Sequence, residues 1–515
     1  MKYSKLLIVL VLSCTFLLSK GNNLLITNIT VNQATSIVGF DIKWDNSWRV
    51  SGPGTPYNWD AVWIFVKFRK CSDPVTVDFT HGTISTTIGD HTIPADLQAV
   101  KSDGSATGID AAPNNLGIML RRSAVGLYPT SSAATVALNV TNLFPAVDGD
   151  LDVRVYGIEM VYIPQGDFAA GDGTNPAVVA DYKFQVSATD PSFVLITDES
   201  AKVIYDGANI TVPASFPKGH DAFHTMKYEI TQFQYAEFLN TLAGAAANNR
   251  YSSAYTNYFR NRLKGPGTYP TSFSSDRPHR AQNYLSWDDV AAYLDWSCLR
   301  PMSELEFEKS CRGPLAPVLS ECAWGNSTWT GIPAAGISGA EDGTEYATTG
   351  NVHAYVAAFT SGDGLMGTNA PLYTYVYGPV RSGMFAGNPA NTTRSTTGAS
   401  YYGVMELSGN VWEWCQKAAT GSTFDRTLGN GVLDATGASD VATWPTAIGN
   451  IIVRGGSWAT YGAAAICLQV SNRRFSLLGN WNGSTTWSPS ATFYENIAAN
   501  YNTYRARYFG GRGVR

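Results

Sequence analysis

From about residue 22 to 155, apolar and polar positions alternate in short runs separated by Gly, Pro, Asp and Asn. The runs include LLITNITV (24–31), AVWIFVKF (61–68), ATVALNV (134–140) and LDVRVYGIEMVYI (151–163). A period of two with frequent turn signals predicts an all-β sandwich. After about residue 160 the period changes. Thr231 with Gln234, Ser286 with Asp289, and Ser303 with Glu306 each have capping-box spacing ahead of a helical apolar stripe. Met302 and Phe307 are placed to form a hydrophobic staple, and Gly313 supplies a stop. Residues 315–400 carry little periodicity, and a stretch that long needs a clamp such as calcium or a disulfide. VWEWC (411–415) and NIIVRGGSW (450–458) read as short strands. The fold class predicted is α+β, a small mixed sheet wrapped by loops and preceded by an all-β sandwich.

The ends and the composition add a compartment. Lys2 and Lys5 precede an apolar run from Leu6 to Leu18, which is the layout of a signal peptide over residues 1–21. No other stretch approaches the roughly twenty apolar residues of a membrane span, so no integral membrane segment is expected after signal removal. The mature chain is expected to be exported, to the cell surface, the extracellular space or the periplasm. It then keeps Cys71, Cys298, Cys311, Cys322, Cys415 and Cys467, whose even number permits disulfides without choosing among pairings. No two lie at zinc-ligand spacing. With 36 Lys and Arg against 41 Asp and Glu, the net charge is -5 and the chain lacks the positive field that nucleic acid requires.

Several segments then point to a family. MVYIPQGDF (160–168), MKYEITQFQYAEFLN (226–240), LSWDDVAAYLDW (285–296), LRPMSELEFEKSCRG (299–313), YYGVMELSGNVWEWC (401–415), VRGGSW (453–458) and GGRGVR (510–515) resemble, in order, the formylglycine-generating enzyme or sulfatase-modifying factor family. The resemblance implies a C-type-lectin-like fold with little regular secondary structure over residues 156–515, with the sandwich at 22–155. It also implies an oxidase that turns a substrate cysteine into formylglycine with two cysteines holding Cu(I). Those cysteines would fall two and seven residues after Trp458, where this chain has Thr460 and Ala465. Soft thiolates suit Cu(I), whereas a hydroxyl and a methyl do not, and Cys467 supplies one thiolate at most. A catalytically silent copy is therefore expected, with copper or iron disfavoured as cofactor. An oxidase or non-haem iron enzyme is the alternative. His220 and His224, the only histidines at helical ligand spacing, sit ahead of a strand-like run.

The same resemblance implies calcium. One set is Glu406 and Glu413 by side chain with the carbonyls of Leu407, Gly409 and Val411; a second is Asn351, Val352, Asp363 and Leu365. Arg454, Arg473, Arg474, Arg512 and Arg515 are expected to hold buried carboxylates. Residues 471–509 contain 19 Asn, Ser, Thr or Tyr among 39, a composition suited to adaptable recognition. Trp481, Trp487, Tyr494, Tyr501 and Tyr504 are the candidate ligand-binding residues there, and the stretch resembles the variable tails of retroelement-diversified proteins with this fold. The expected partner is an extracellular protein or glycan, or another copy in an ordered surface assembly.

Overall fold

The computed structural model describes residues 23–515 apart from 52–56, 75, 144–149, 174–182, 268–272, 334–335, 355–377, 447, 459–466 and 474–502. The signal-peptide reading, Asp363, Leu365, Thr460, Ala465, Arg474, Trp481, Trp487, Tyr494 and Tyr501 lie outside the described residues.

Each alternating run becomes a strand. Leu25–Asn32, Ile37–Lys43 and Ala134–Asn139 form a three-stranded antiparallel sheet. It packs on a larger sheet whose strands, in order, are Arg300–Pro301, Gly513–Val514, Phe223–Met226, Leu151–Ile163, Asp60–Lys70, Ile118–Arg122 and Leu97–Val100. Thr80–His81 adds to the Asp60–Lys70 strand off this path. The expected boundary between residues 155 and 156 falls inside the Leu151–Ile163 strand. That strand pairs with Asp60–Lys70 from Leu151 to Val161, and its last four residues pair with Phe223–Met226. One sheet therefore runs from the amino-terminal unit into the loop-rich one.

The Asp60–Lys70 strand carries two cores. Val62, Ile64, Val66 and Phe68 face Val38, Phe40, Ile42, Val136 and Leu138 of the small sheet. Ala61, Trp63 and Phe65, on the other face, join the larger core containing Leu294, Trp296 and Phe238. Each such large side chain, fully buried, contributes about 1.5–3 kcal/mol. The Trp63 indole donates to the Ser297 carbonyl at 2.8 Å, Phe65 meets Trp296 edge-on, and the Lys67 ammonium donates to the Gly431 carbonyl at 2.7 Å. A near-continuous apolar run is what a strand buried on both faces requires.

All three expected capping boxes form, opening helices Gln232–Leu239, Trp287–Trp296 and Glu304–Arg312. Met302 and Phe307 are buried in one cluster, and Gly313 ends its helix at φ +65°. The GGRGVR run explains its own glycines, since a Cβ on Gly513 would stand 2.3 Å from a Leu294 methyl. Cys71, Cys298, Cys311, Cys322 and Cys415 form no disulfide. The irregular 315–400 region is tied instead by arginines: Arg394 donates to the carbonyls of Cys311 and Ala323, and Arg381 to that of Glu345. Among the described residues, no helix is long and apolar enough to cross a membrane.

Candidate functional site

The second small sheet places the site. Ile451–Arg454 pairs antiparallel with Trp412–Gln416, which pairs in parallel with Phe509–Gly510. Beyond Arg454 the chain turns sharply through Gly455 at φ +87°, where a Cβ would lie 2.5 Å from the Leu407 carbonyl oxygen. That turn delivers Trp458 to the start of the loop in which the family's cysteines would fall. The Trp458 backbone N–H donates to the Asn410 carbonyl at 2.7 Å and its indole to the Arg507 carbonyl at 3.3 Å.

Aromatic and arginine side chains gather around Trp458. Its ring stacks on Phe259 at 5.4 Å, and the Arg507 guanidinium lies 4.5 Å from the same Phe259 ring. Tyr255 and Tyr284 stack at 4.3 Å beside them. Asn283 ties the group together by donating to the carbonyls of Phe259 and Arg507. Tyr504, expected from sequence to contact ligand, is half-buried here; burial and Tyr255 raise its pKa against the pull of Arg507. Asn257, Phe259, Arg260 and Tyr284 all have positive φ. Left-handed backbone at non-glycine residues costs of order 1 kcal/mol or more each and gathers at functional surfaces. Sequence reasoning missed this part of the face, because nothing local marks Phe259 or Tyr284 as neighbours of Trp458.

The described residues on either side of 459–466 are anchored to one helix, Glu304–Arg312. On the upstream side, Arg454 donates to Glu304 at 2.7 Å and to Glu308 at 2.8 Å. Downstream, Arg473 grips Glu304 with two bonds of 2.7 Å and reaches Asp206 at 2.8 Å. Arg312 adds a bond to Ser471 at 2.8 Å. Burial pushes the Glu304 carboxyl up, yet Arg473 and Arg454 hold it below the usual range. Arg454, Arg473, Arg512 and Arg515 all serve carboxylates, as the sequence suggested.

The Glu406–Glu413 turn is also built around an arginine. Arg512 takes both oxygens of Glu413, at 2.6 and 2.7 Å, and donates to the Met405 carbonyl at 2.8 Å. Glu406, at φ +54°, accepts from the Gly383 N–H through one oxygen, and its other oxygen is buried without a partner. Burial pushes Glu406 up to about 7, with Arg512 opposing. Glu229 accepts from the Val411 N–H at 3.1 Å and from the Asn410 side chain; burial and Glu413 raise its pKa well above the usual range. The Gly409 N–H donates to the Gly455 carbonyl. Arg512 thus neutralises the Glu413 carboxylate of the expected calcium set, while one Glu406 oxygen keeps no protein partner. In the other set, Asn351 accepts from the Thr330 N–H at 2.8 Å and donates to the Ser395 carbonyl at 3.1 Å, with Val352 buried beside it. Among the described residues no group of three or more His, Cys, Asp or Glu is arranged to hold a metal ion.

The histidine pair does not share a helix face. His224 is buried on the Phe223–Met226 strand, accepts from the Trp59 indole, and is pushed down to about 4 by burial. His220 pairs with Asp167. Four buried thiols are held protonated. Burial raises Cys298 and Cys322 to about 12 and Cys311 and Cys415 well above the ordinary thiol value.

The sulfatase-modifying factor enzyme 1-like domain matches residues 153–481. The chain belongs to that family. A formylglycine-generating enzyme of Thermomonospora curvata is 31% identical over 157 residues, which is 29% of this chain and 39% of the relative. The family match begins within the shared Leu151–Ile163 strand and takes in Trp458. The strands contributed by residues 60–122 complete the sheet from outside the matched region.

Proposed function

We propose that this family member is an exported protein without the oxidase reaction, which recognises an extracellular protein or glycan through the Trp458 face and the adjoining 471–509 stretch. One observation carries the reading: at the positions where the family resemblance would put the two Cu(I)-binding cysteines, this chain has Thr460 and Ala465. The thiols of Cys298, Cys311, Cys322 and Cys415 support it, since raised pKa values suppress the thiolate that copper and nucleophilic chemistry need. The anchoring of Arg454 and Arg473 to Glu304 suits a loop whose stems stay fixed while its sequence adapts to a ligand. The test is incubation of purified protein with Cu(I), oxygen and a cysteine peptide carrying a sulfatase-type motif. No formylglycine and no bound copper are expected, and stoichiometric copper with aldehyde product would refute the reading.

Calcium is proposed only for the set Asn351, Val352, Asp363 and Leu365, where oxygen donors suit a hard cation. Chelation should lower the melting temperature of the wild-type protein and leave that of Asp363→Asn unchanged. Identical melting of the wild type with and without chelator would remove the calcium assignment.

A further inference from the structure

Beside the Trp458 face, three arginines share one carboxylate. Arg260 and Arg280 each donate to a different oxygen of Glu341, and the Arg277 guanidinium approaches it to 3.9 Å. Among the described residues no other carboxylate lies within ion-pair distance of these guanidinium groups. Three positive charges against one negative leave an excess of two. The Arg280 side chain is only 7% exposed, and its Nε–H is buried without a partner. Burial, with the like charge of Arg260 beside it, pushes Arg280 down to about 9. Its one anion is the carboxylate it shares with Arg260 and Arg277.

The backbone keeps the group in place. Arg280 also donates to the Arg260 carbonyl at 3.1 Å, and the Arg260 Nε–H to the Pro379 carbonyl at 3.0 Å. Arg260 itself sits at φ +63°, next to Phe259 under Trp458. Glu341 is less constrained: its side chain is 24% exposed and lies in the turn between the short strands Ile337–Ser338 and Tyr346–Ala347. Arg277 is 42% exposed, and its guanidinium donates to the Asp276 carbonyl at 2.7 Å.

We infer that Arg260, Arg277 and Arg280 form a binding site for a dianionic tetrahedral oxyanion, the sulfate or phosphate group of a ligand, and that Glu341 is a built-in place-holder which the ligand displaces. The fork of each guanidinium matches two oxyanion oxygens, and a dianion in place of the Glu341 carboxylate lowers the excess positive charge from two to one. The site stands apart from the copper question, because none of these residues lies at the Cu(I) positions 460 and 465.

Glu341→Gln tests this directly, since it removes the competing charge while keeping the side-chain shape. Titrated calorimetrically with inorganic sulfate and, separately, inorganic phosphate at constant ionic strength, the full-length variant should bind at least one of them about tenfold more tightly than the wild type. The side-by-side titrations separate a sulfate ligand from a phosphate one. Arg277→Gln, at an exposed position that should not disturb folding, should weaken wild-type binding of the same anion severalfold, and acetate, with one charge, should bind Glu341→Gln more weakly than that dianion. Unchanged affinity in Glu341→Gln, or full affinity in Arg277→Gln, would overturn the assignment and leave Glu341 as an ordinary ion-pair partner.

Discussion

Replacing Glu304 with alanine should cost the fold about 3–5 kcal/mol, the penalty typical of stripping one partner from a buried ion pair. Arg454 and Arg473 would both be left buried, each losing its bonds to this carboxylate. The Ala418 N–H, which donates to the same carboxylate at 2.8 Å, would be orphaned as well. Against a total stability that is usually about 5–15 kcal/mol, this is a large fraction. The damage should also be local in its effect on function, because these arginines fix the two ends of the loop after Trp458. Urea denaturation of the variant gives the loss. A change under 1 kcal/mol would show that the network is energetically idle and that the loop stems are held by other contacts.

Glu406 should govern a pH dependence of the opposite kind. A carboxyl that ionises near 7 in the fold and near 4.5 when unfolded costs about 3 kcal/mol once it is charged in the native state. Between those values the native protein holds more protons than the unfolded chain, so stability falls as pH rises from about 4.5 to about 7 and levels off above. Glu406→Gln should remove this part of the fall. The variant should equal the wild type near pH 4 and exceed it by up to about 3 kcal/mol at pH 8. Calcium bound at Glu406 would reverse the sign, making the variant the less stable protein at pH 8 in calcium-containing buffer. The same pair of denaturation curves therefore distinguishes an internally compensated carboxylate cluster from a metal site.

The local signals in the sequence were strong because each of these elements states its own limits. Thr231, Ser286 and Ser303 cap their helices through contacts three residues away, and the period-two runs become strands where they stand. What could not be read was pairing at long range. The run AVWIFVKF reads as a strand, yet nothing in it announces burial on both faces, names Leu151–Ile163 as its neighbour or places Trp296 beneath Phe65. In the GNVWEW segment only the strand VWEWC was legible and the family resemblance implied calcium, whereas the guanidinium that pairs with Glu413 comes from Arg512, about a hundred residues on. Tyr504 was found through composition; Phe259 and Tyr284 join it only because the chain folds back with left-handed turns that no motif announces.

That folding back sets the reading of the whole molecule. The sheet reaches from the amino-terminal strands to Gly513–Val514, and Arg515 donates to the Asn114 carbonyl at 2.7 Å and pairs with Asp110 at 3.0 Å. A rigid base of this kind presents the Trp458 loop without requiring the loop to do chemistry. The direct measurement is the copper content and product analysis of the purified protein after incubation with Cu(I), oxygen and the cysteine peptide. With Thr460 and Ala465 in the ligand positions, copper should wash out and every peptide should be recovered as the unmodified thiol. One copper retained per chain, together with formylglycine in the peptide, would establish an oxidase and contradict a recognition protein.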